Sequence, residues 1–88
     1  MKVRSNTGVN QLAGAIACEI RESGKVELQA IGPAAVNQAV KAVIVARSYL
    51  IPQGISIVIE PSFGVMEQED RETTVIRMTI REENNERF

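Results

Sequence analysis

Histidine is absent from the 88 residues, so the single cysteine, Cys18, has no imidazole to draw off its proton. The side chains most used for general acid–base work, nucleophile activation and metal ligation are thereby reduced to carboxylates. Glu69 and Asp70 are adjacent acids, but two carboxylates form a catalytic dyad only where a cleft holds them. No P-loop and no dinucleotide fingerprint occurs anywhere in the chain. The reading is a protein that is not an enzyme and that implies no cofactor and no metal.

The chemistry that remains is recognition. Asn37, Gln38 and Lys41 fall on one side of a helical projection, two amides and a cation that can meet phosphates, bases or a neighbouring subunit. Gly32 precedes them and lets a ligand approach the backbone. Each has a plainer reading beside this one. Lys41 can be a solvent-facing helix residue, and amides in the first turns of a helix often satisfy local backbone groups. Arg47, near the end of the same helix, suits a structural role, complementing the helix dipole and covering apolar surface with its stem.

The charge balance lends no global support to a polyanion partner. Ten Lys and Arg face eleven Asp and Glu, a net charge of −1. Residues 1–54 carry six Lys/Arg against three Glu, and residues 55–88 carry four Arg against eight acids, so the halves are +3 and −4. A nucleic-acid binder with this composition must gather its cations on one surface.

These residues need a scaffold, and 88 residues make one small domain, spanning 1–88, of a size that buries roughly 60–65% of its unfolded surface. With three aromatic residues, Tyr49, Phe63 and Phe88, the core must be aliphatic. The lone cysteine and the early charges Lys2 and Arg4 suit a cytoplasmic chain, and no apolar run approaches the ~20 residues that span a bilayer.

Along the chain, Lys2–Ser5 is extended and Asn6-Thr7-Gly8 is a loop. Val9, Leu12, Ala13, Ile16 and Ile20 recur at helical spacing up to Ser23-Gly24. The opposite side of that helix carries Gly14, Ala15 and Cys18, a face read as packed, with Cys18 a small buried hydrophobe. Lys25–Ile31 alternates as a half-buried strand. Pro33 opens a long helix to about Leu50, with Val36, Ala39, Val40, Val43 and Leu50 facing the core and Val45/Tyr49 a candidate subunit contact. Ile55–Glu60 and Thr73–Arg81 are the last two strands, joined by an exposed acidic connection, Met66–Glu72. Residues 82–88 read as a loosely ordered tail. The order is βαβαββ, an α/β two-layer sandwich with both helices on one face of a mixed four-stranded sheet.

The run Glu27-Leu28-Gln29-Ala30-Ile31-Gly32, continuing through Ala35-Val36-Asn37-Gln38-Ala39-Val40-Lys41-Ala42 to Ala46-Arg47, resembles the signature of the stage V sporulation protein S family. Leu12-Ala13-Gly14-Ala15-Ile16-Ala17, Pro52, Gly54 and Pro61–Phe63 follow the same order, so the resemblance covers nearly the whole chain. It implies an Alba-like fold, a homodimer or larger assembly, and a role in sporulation and developmental regulation. It also implies nucleic-acid binding, to DNA or RNA, by three regions: the loop after the first strand, the loop entering the second helix, and the final hairpin. Here those regions hold Arg4 and Asn6, then Gly32, Asn37, Gln38 and Lys41, then an acidic segment. The first loop has Asn6 and Val9 where the family tends to carry lysine and proline. With Glu67, Glu69, Asp70 and Glu72 against Arg71, the third would repel a phosphate backbone. The competing expectation is a protein-interaction module that engages a protein partner through the wet sheet face, the Val45/Tyr49 patch and the acidic connection.

Overall fold

Alternating Val26, Leu28 and Ala30 must all point one way from a strand, and in the sheet they do. A computed structural model describes residues 1–83. It contains β1 (Lys2–Val3), α1 (Val9–Ser23), β2 (Lys25–Ala30), α2 (Pro33–Leu50), a 3-10 turn (Ile51–Gln53), β3 (Ile57–Gln68) and β4 (Arg71–Glu82). The sheet order is β1-β2-β4-β3, with β1 parallel to β2 and the other pairs antiparallel. The expected βαβαββ order and mixed four-stranded sheet are therefore present.

One face of this sheet is apolar. Val26, Leu28 and Ala30 of β2 stand opposite Ile80, Met78 and Ile76 of β4, and these side chains join the buried faces of both helices in one core. Leu12, Ala13, Ile16, Ala17 and Ile20 supply the α1 side. The other face carries Lys25, Glu27, Gln29, Arg77, Thr79 and Arg81 and stays in solvent or half-buried. Gly24 ends α1 in the left-handed conformation at φ 77°, and its N–H donates to the Ile20 carbonyl at 2.8 Å.

Four details differ from the sequence expectation. The buried stripe of α2 is Ala35, Ala39, Ala42, Val43, Ala46 and Leu50, with Val36 half-buried against the same core; Val40 and Arg47 are exposed at its flank. Four alanines in that stripe let α1 and α2 lie against each other closely, which larger side chains would prevent. Gly14, Ala15 and Cys18 face outward, so the face read as packed is open in the single chain, and Cys18 is exposed with its Sγ 3.9 Å from Glu22 Oε2. Val45 is half-buried against the core, which leaves Tyr49 without it as a patch; the more exposed apolar residue of α2 is Ile44, at 61%.

The largest difference is at the end of the chain. Segment 66–72 is not a loose connection: β3 and β4 pair without a break from Ile57↔Glu82 to Gln68↔Arg71 around a two-residue turn. Glu69 and Asp70 have φ of 51° and 63°, the positive values that the tightest hairpin turns require at both central positions. Glu82 belongs to β4 and its N–H donates to the Gly24 carbonyl at 3.0 Å, while Glu83 N–H reaches the Ser56 carbonyl at 2.7 Å. Glu82 and Glu83 are thus tied to the sheet end and are not part of the expected loose tail; 84–88 lie outside the described residues.

Candidate nucleic-acid interface

Strand directions decide which connections meet. Because β1 and β2 are parallel, the loops leaving them emerge at the same end of the sheet. Because β4 runs antiparallel to β2 with Ile76 opposite Ala30, the residues of β4 before Ile76 pass beyond that same end. Residues 64–68 and 71–75 therefore form a two-stranded arm projecting past the sheet. A 12-residue strand spans ~40 Å, most of the 48 Å long axis of the molecule. All three regions singled out in the sequence lie at one end.

In the first loop, Thr7 N–H donates to the Arg4 carbonyl at 3.1 Å, and Thr7 Oγ1 accepts from Arg4 N–H at 2.8 Å. Ser5 and Asn6 are the exposed centre of this turn. The Thr7 carbonyl accepts from Gln38 Nε2 at 2.8 Å, so α2 holds the first loop in place. Gln38 is half-buried, and its amide donor is engaged inside the chain.

At the second loop, Gly32 adopts φ 85°, ψ 160°, a combination essentially confined to glycine. Its carbonyl takes the first helical bond, from Val36 N–H at 3.1 Å. The amides of Ala34 and Ala35 precede that bond and point out of the helix end, which carries no acidic residue in its first turn and no side-chain cap. Asn37 and Lys41 are exposed one turn apart on the outward face of α2.

The arm is acidic. Glu67 stands directly opposite Glu72, and Glu69 and Asp70 form the tip. Toward its base the side facing the helix layer is apolar, with Phe63 78% and Val65 60% exposed, and Pro61, Ser62, Phe63 and Ile76 line a shallow groove. On the opposite side, Gly64 leaves room for Arg77: a Cβ there would lie 2.9 Å from Arg77 Nη2 and 3.2 Å from Val75 Cγ2.

The sheet-face arginines are already engaged. Arg81 Nε donates to Glu60 Oε1 at 2.7 Å, and that hydrogen bond, followed by the charge attraction, holds the Glu60 carboxyl below its ordinary range and raises the Arg81 guanidinium. Arg77 Nε lies 3.3 Å from Glu27 Oε2, a charge contact, and among the described residues its buried Nε–H has no hydrogen-bond partner.

A cleft of about 320 Å³ opens where the three regions converge, lined by Lys2, Val3, Arg4, Ser5, Gln29, Ile31 and Met66. Of the residues predicted as a site, it contains Arg4. Asn6 belongs to the same turn as Arg4, Gln38 pins that turn, and Gly32 adjoins Ile31. Lys41 and Asn37 lie apart on the helix. Sequence reasoning missed Lys2, Ser5, Gln29, Ile31 and Met66. The signal for Lys2 was available, since Lys2 and Arg4 flank buried Val3 at the two-residue period that puts both on one side of a strand. Met66 could be found only once the arm was known. Among the described residues no group of three or more Cys, Asp or Glu is placed to hold a metal ion, and no helix is long and apolar enough to cross a membrane.

Comparison with known proteins agrees with this architecture. A family model described as stage V sporulation protein S matches residues 1–83. Among solved structures, Alba from Thermoplasma volcanium superposes with a TM-score of 0.56 at 15% identity, covering 92% of this chain and 99% of that one. At that identity the likeness is one of fold, and the fold is Alba-like.

Proposed function

From the premise that this chain belongs to the stage V sporulation protein S family, we propose that it is a non-catalytic, cytoplasmic regulatory protein that binds nucleic acid through phosphate contacts as a homo-oligomer. The observation that carries this reading is the convergence of the β1–α1 loop, the β2–α2 loop and the hairpin arm at one end of the sheet, around a cleft lined by Lys2 and Arg4 and, among the described residues, by no carboxylate. The chain has no excess of cations, so binding depends on this local gathering, which gives modest, salt-sensitive affinity without base reading in a duplex.

Arg4 and Lys41 serve as the phosphate cations, Asn6 and Asn37 as neutral donors, and Gly32 as the point where a phosphate nears the α2 amides. Gln38 acts through the loop it pins. Assembly as a dimer or larger homo-oligomer is supported by the exposed apolar strip of the arm, Phe63 and Val65, and by Ile44 on α2, surfaces a single chain leaves in water. The single domain of residues 1–88 is the unit that assembles.

Fluorescence anisotropy with labelled DNA and RNA at low salt tests the reading: binding that weakens steeply as salt rises is the expected result. Absence of binding to every single strand and duplex overturns it. Replacing Arg4 or Lys41 by Ala should each lower affinity and flatten the salt dependence by about one ion.

A second reading is favoured by the same apolar strip and by the acidic tip: a scaffold module that engages a protein partner. It calls for reproducible recovery of that partner from cells and for no salt-dependent affinity for nucleic acid.

A further inference from the structure

Basic residues at a loop are common, but the convergence cleft has a second character. Its lining combines polar Lys2, Arg4, Ser5 and Gln29 with apolar Val3, Ile31 and Met66, and among the described residues no acid lines it. Ile31 is 42% exposed and Met66 is half-buried on the arm. A volume of about 320 Å³ is far more than an inorganic phosphate fills.

We propose that this cleft seats one unpaired nucleotide, its phosphate between Lys2 and Arg4 and its base laid over Ile31 and Met66. The inference rests on the nucleic-acid reading above and sharpens it to a preference for single strands. Lys2 at the end of β1 and Arg4 at the start of the turn that follows both line the cleft, two residues apart in the chain, close enough for one phosphate to meet both cations. The flat face of a base is apolar and polarisable, and a thioether and a branched aliphatic group are suitable surfaces for it. Gln29 offers both a donor and an acceptor for a base edge. A base in a duplex reaches such a recess only after leaving its stack, so single strands bind without that cost.

The test uses the whole protein and four labelled or competing probes: a thymidine single strand, a duplex of the same length, a single strand of the same length whose sugars lack bases, and a free thymidine monophosphate competitor. The expected result is single-strand affinity about tenfold above that of the duplex and of the base-free strand. In Ile31→Ala and Met66→Ala, which keep the charge, single-strand affinity should fall about fivefold to tenfold while duplex affinity stays the same. Circular dichroism melting verifies that both variants fold, and Met66→Leu, which keeps the apolar surface, should retain most of the affinity. Competition by the free monophosphate would identify the seat as one for a nucleotide unit as such; its failure to compete, with the strand preference intact, would assign the seat to a strand. Equal binding of base-containing and base-free strands, unchanged in the Ile31 and Met66 variants, overturns the seat and leaves the phosphate reading standing. No binding of any strand overturns both.

Discussion

Gln38 on α2 and Thr7 in the first loop are thirty-one residues apart in the chain, and the Gln38 Nε2 amide donates to the Thr7 carbonyl at 2.8 Å. One side chain thereby ties the first loop to the body of α2. Gln38→Ala removes a neutral, half-buried hydrogen bond and should lower the unfolding free energy by about 1 kcal/mol in chemical denaturation. The same variant should speed amide exchange at Thr7, whose bond to the Arg4 carbonyl depends on the turn keeping its shape. Unaltered exchange there would show that the turn holds without α2.

Gly32 and Gly14 make a matched pair with opposite expected signs. A Cβ at either position meets nothing within 4 Å, so packing decides neither. At Gly32 the backbone at φ 85°, ψ 160° is strained for any other residue, and Gly32→Ala should cost about 1–3 kcal/mol. At Gly14, inside α1, Gly14→Ala should add about 0.5–1 kcal/mol of stability. Light scattering on Gly14→Ala gives a further readout: a fall in assembly size would mean that the open Gly14, Ala15 and Cys18 face is covered by another subunit.

The elements with buried faces were legible in the sequence because each has a solvent side and a core side. The span Val9–Ser23, the alternation of β2 and the start of α2 at Pro33 follow directly from that division. The buried stripe of α2 was legible only in part: Ala39, Val43 and Leu50 lie in it and Val36 packs beside it, but Ala35, Ala42 and Ala46 carry little hydrophobic signal, while exposed Val40 carries more. Close helix contact selects small residues, and small residues hide the face that makes it. The arm was misread for a different reason. Beyond Ile76 neither β2 nor a helix covers the hairpin as it covers the sheet, so Glu67 and Glu72 sit on the same side as Phe63 and Ile80 and no alternation survives. The turn, Glu69-Asp70, also lacks the Gly or Asn that usually announces positive φ. The cleft inherits this: its first wall, Lys2 to Ser5, was visible as a strand end, but its Met66 wall belongs to the unseen arm.

Acid titration should reveal the cross-strand pair Glu60–Arg81. Its hydrogen bond holds the Glu60 carboxyl below the ordinary range in the folded chain, so the pair's contribution is present above the unfolded carboxylate pKa and is lost as pH falls through the lowered one. Arg81 stays charged throughout. The stability of Glu60→Gln should therefore lie slightly below that of the unaltered chain at neutral pH and converge with it in strong acid. High salt should shrink the difference, because both groups are solvent-exposed. Carbon-detected NMR of the Glu60 carboxyl gives the sign directly: a midpoint at or above the ordinary glutamate value would contradict the pairing.

The acidic arm makes a prediction in which stability and binding move together. Glu67 and Glu72 are directly opposite across β3 and β4, and like charges at such a position repel. Glu72→Lys turns the repulsion into attraction and should stabilise the chain by roughly 0.2–1 kcal/mol, seen as a higher melting temperature. It also shifts the arm by two charge units beside the proposed phosphate path, so affinity for a labelled oligonucleotide at low salt should rise several-fold, with a steeper loss as salt increases. Glu22→Lys makes the same charge change near the end of α1, where β2 begins, at the opposite end of the sheet from the cleft. If the arm lies along the nucleic acid, only the change at Glu72 raises affinity markedly. Equal gains from both substitutions would mean that net charge alone governs binding, and no gain from Glu72→Lys would remove the arm from the interface.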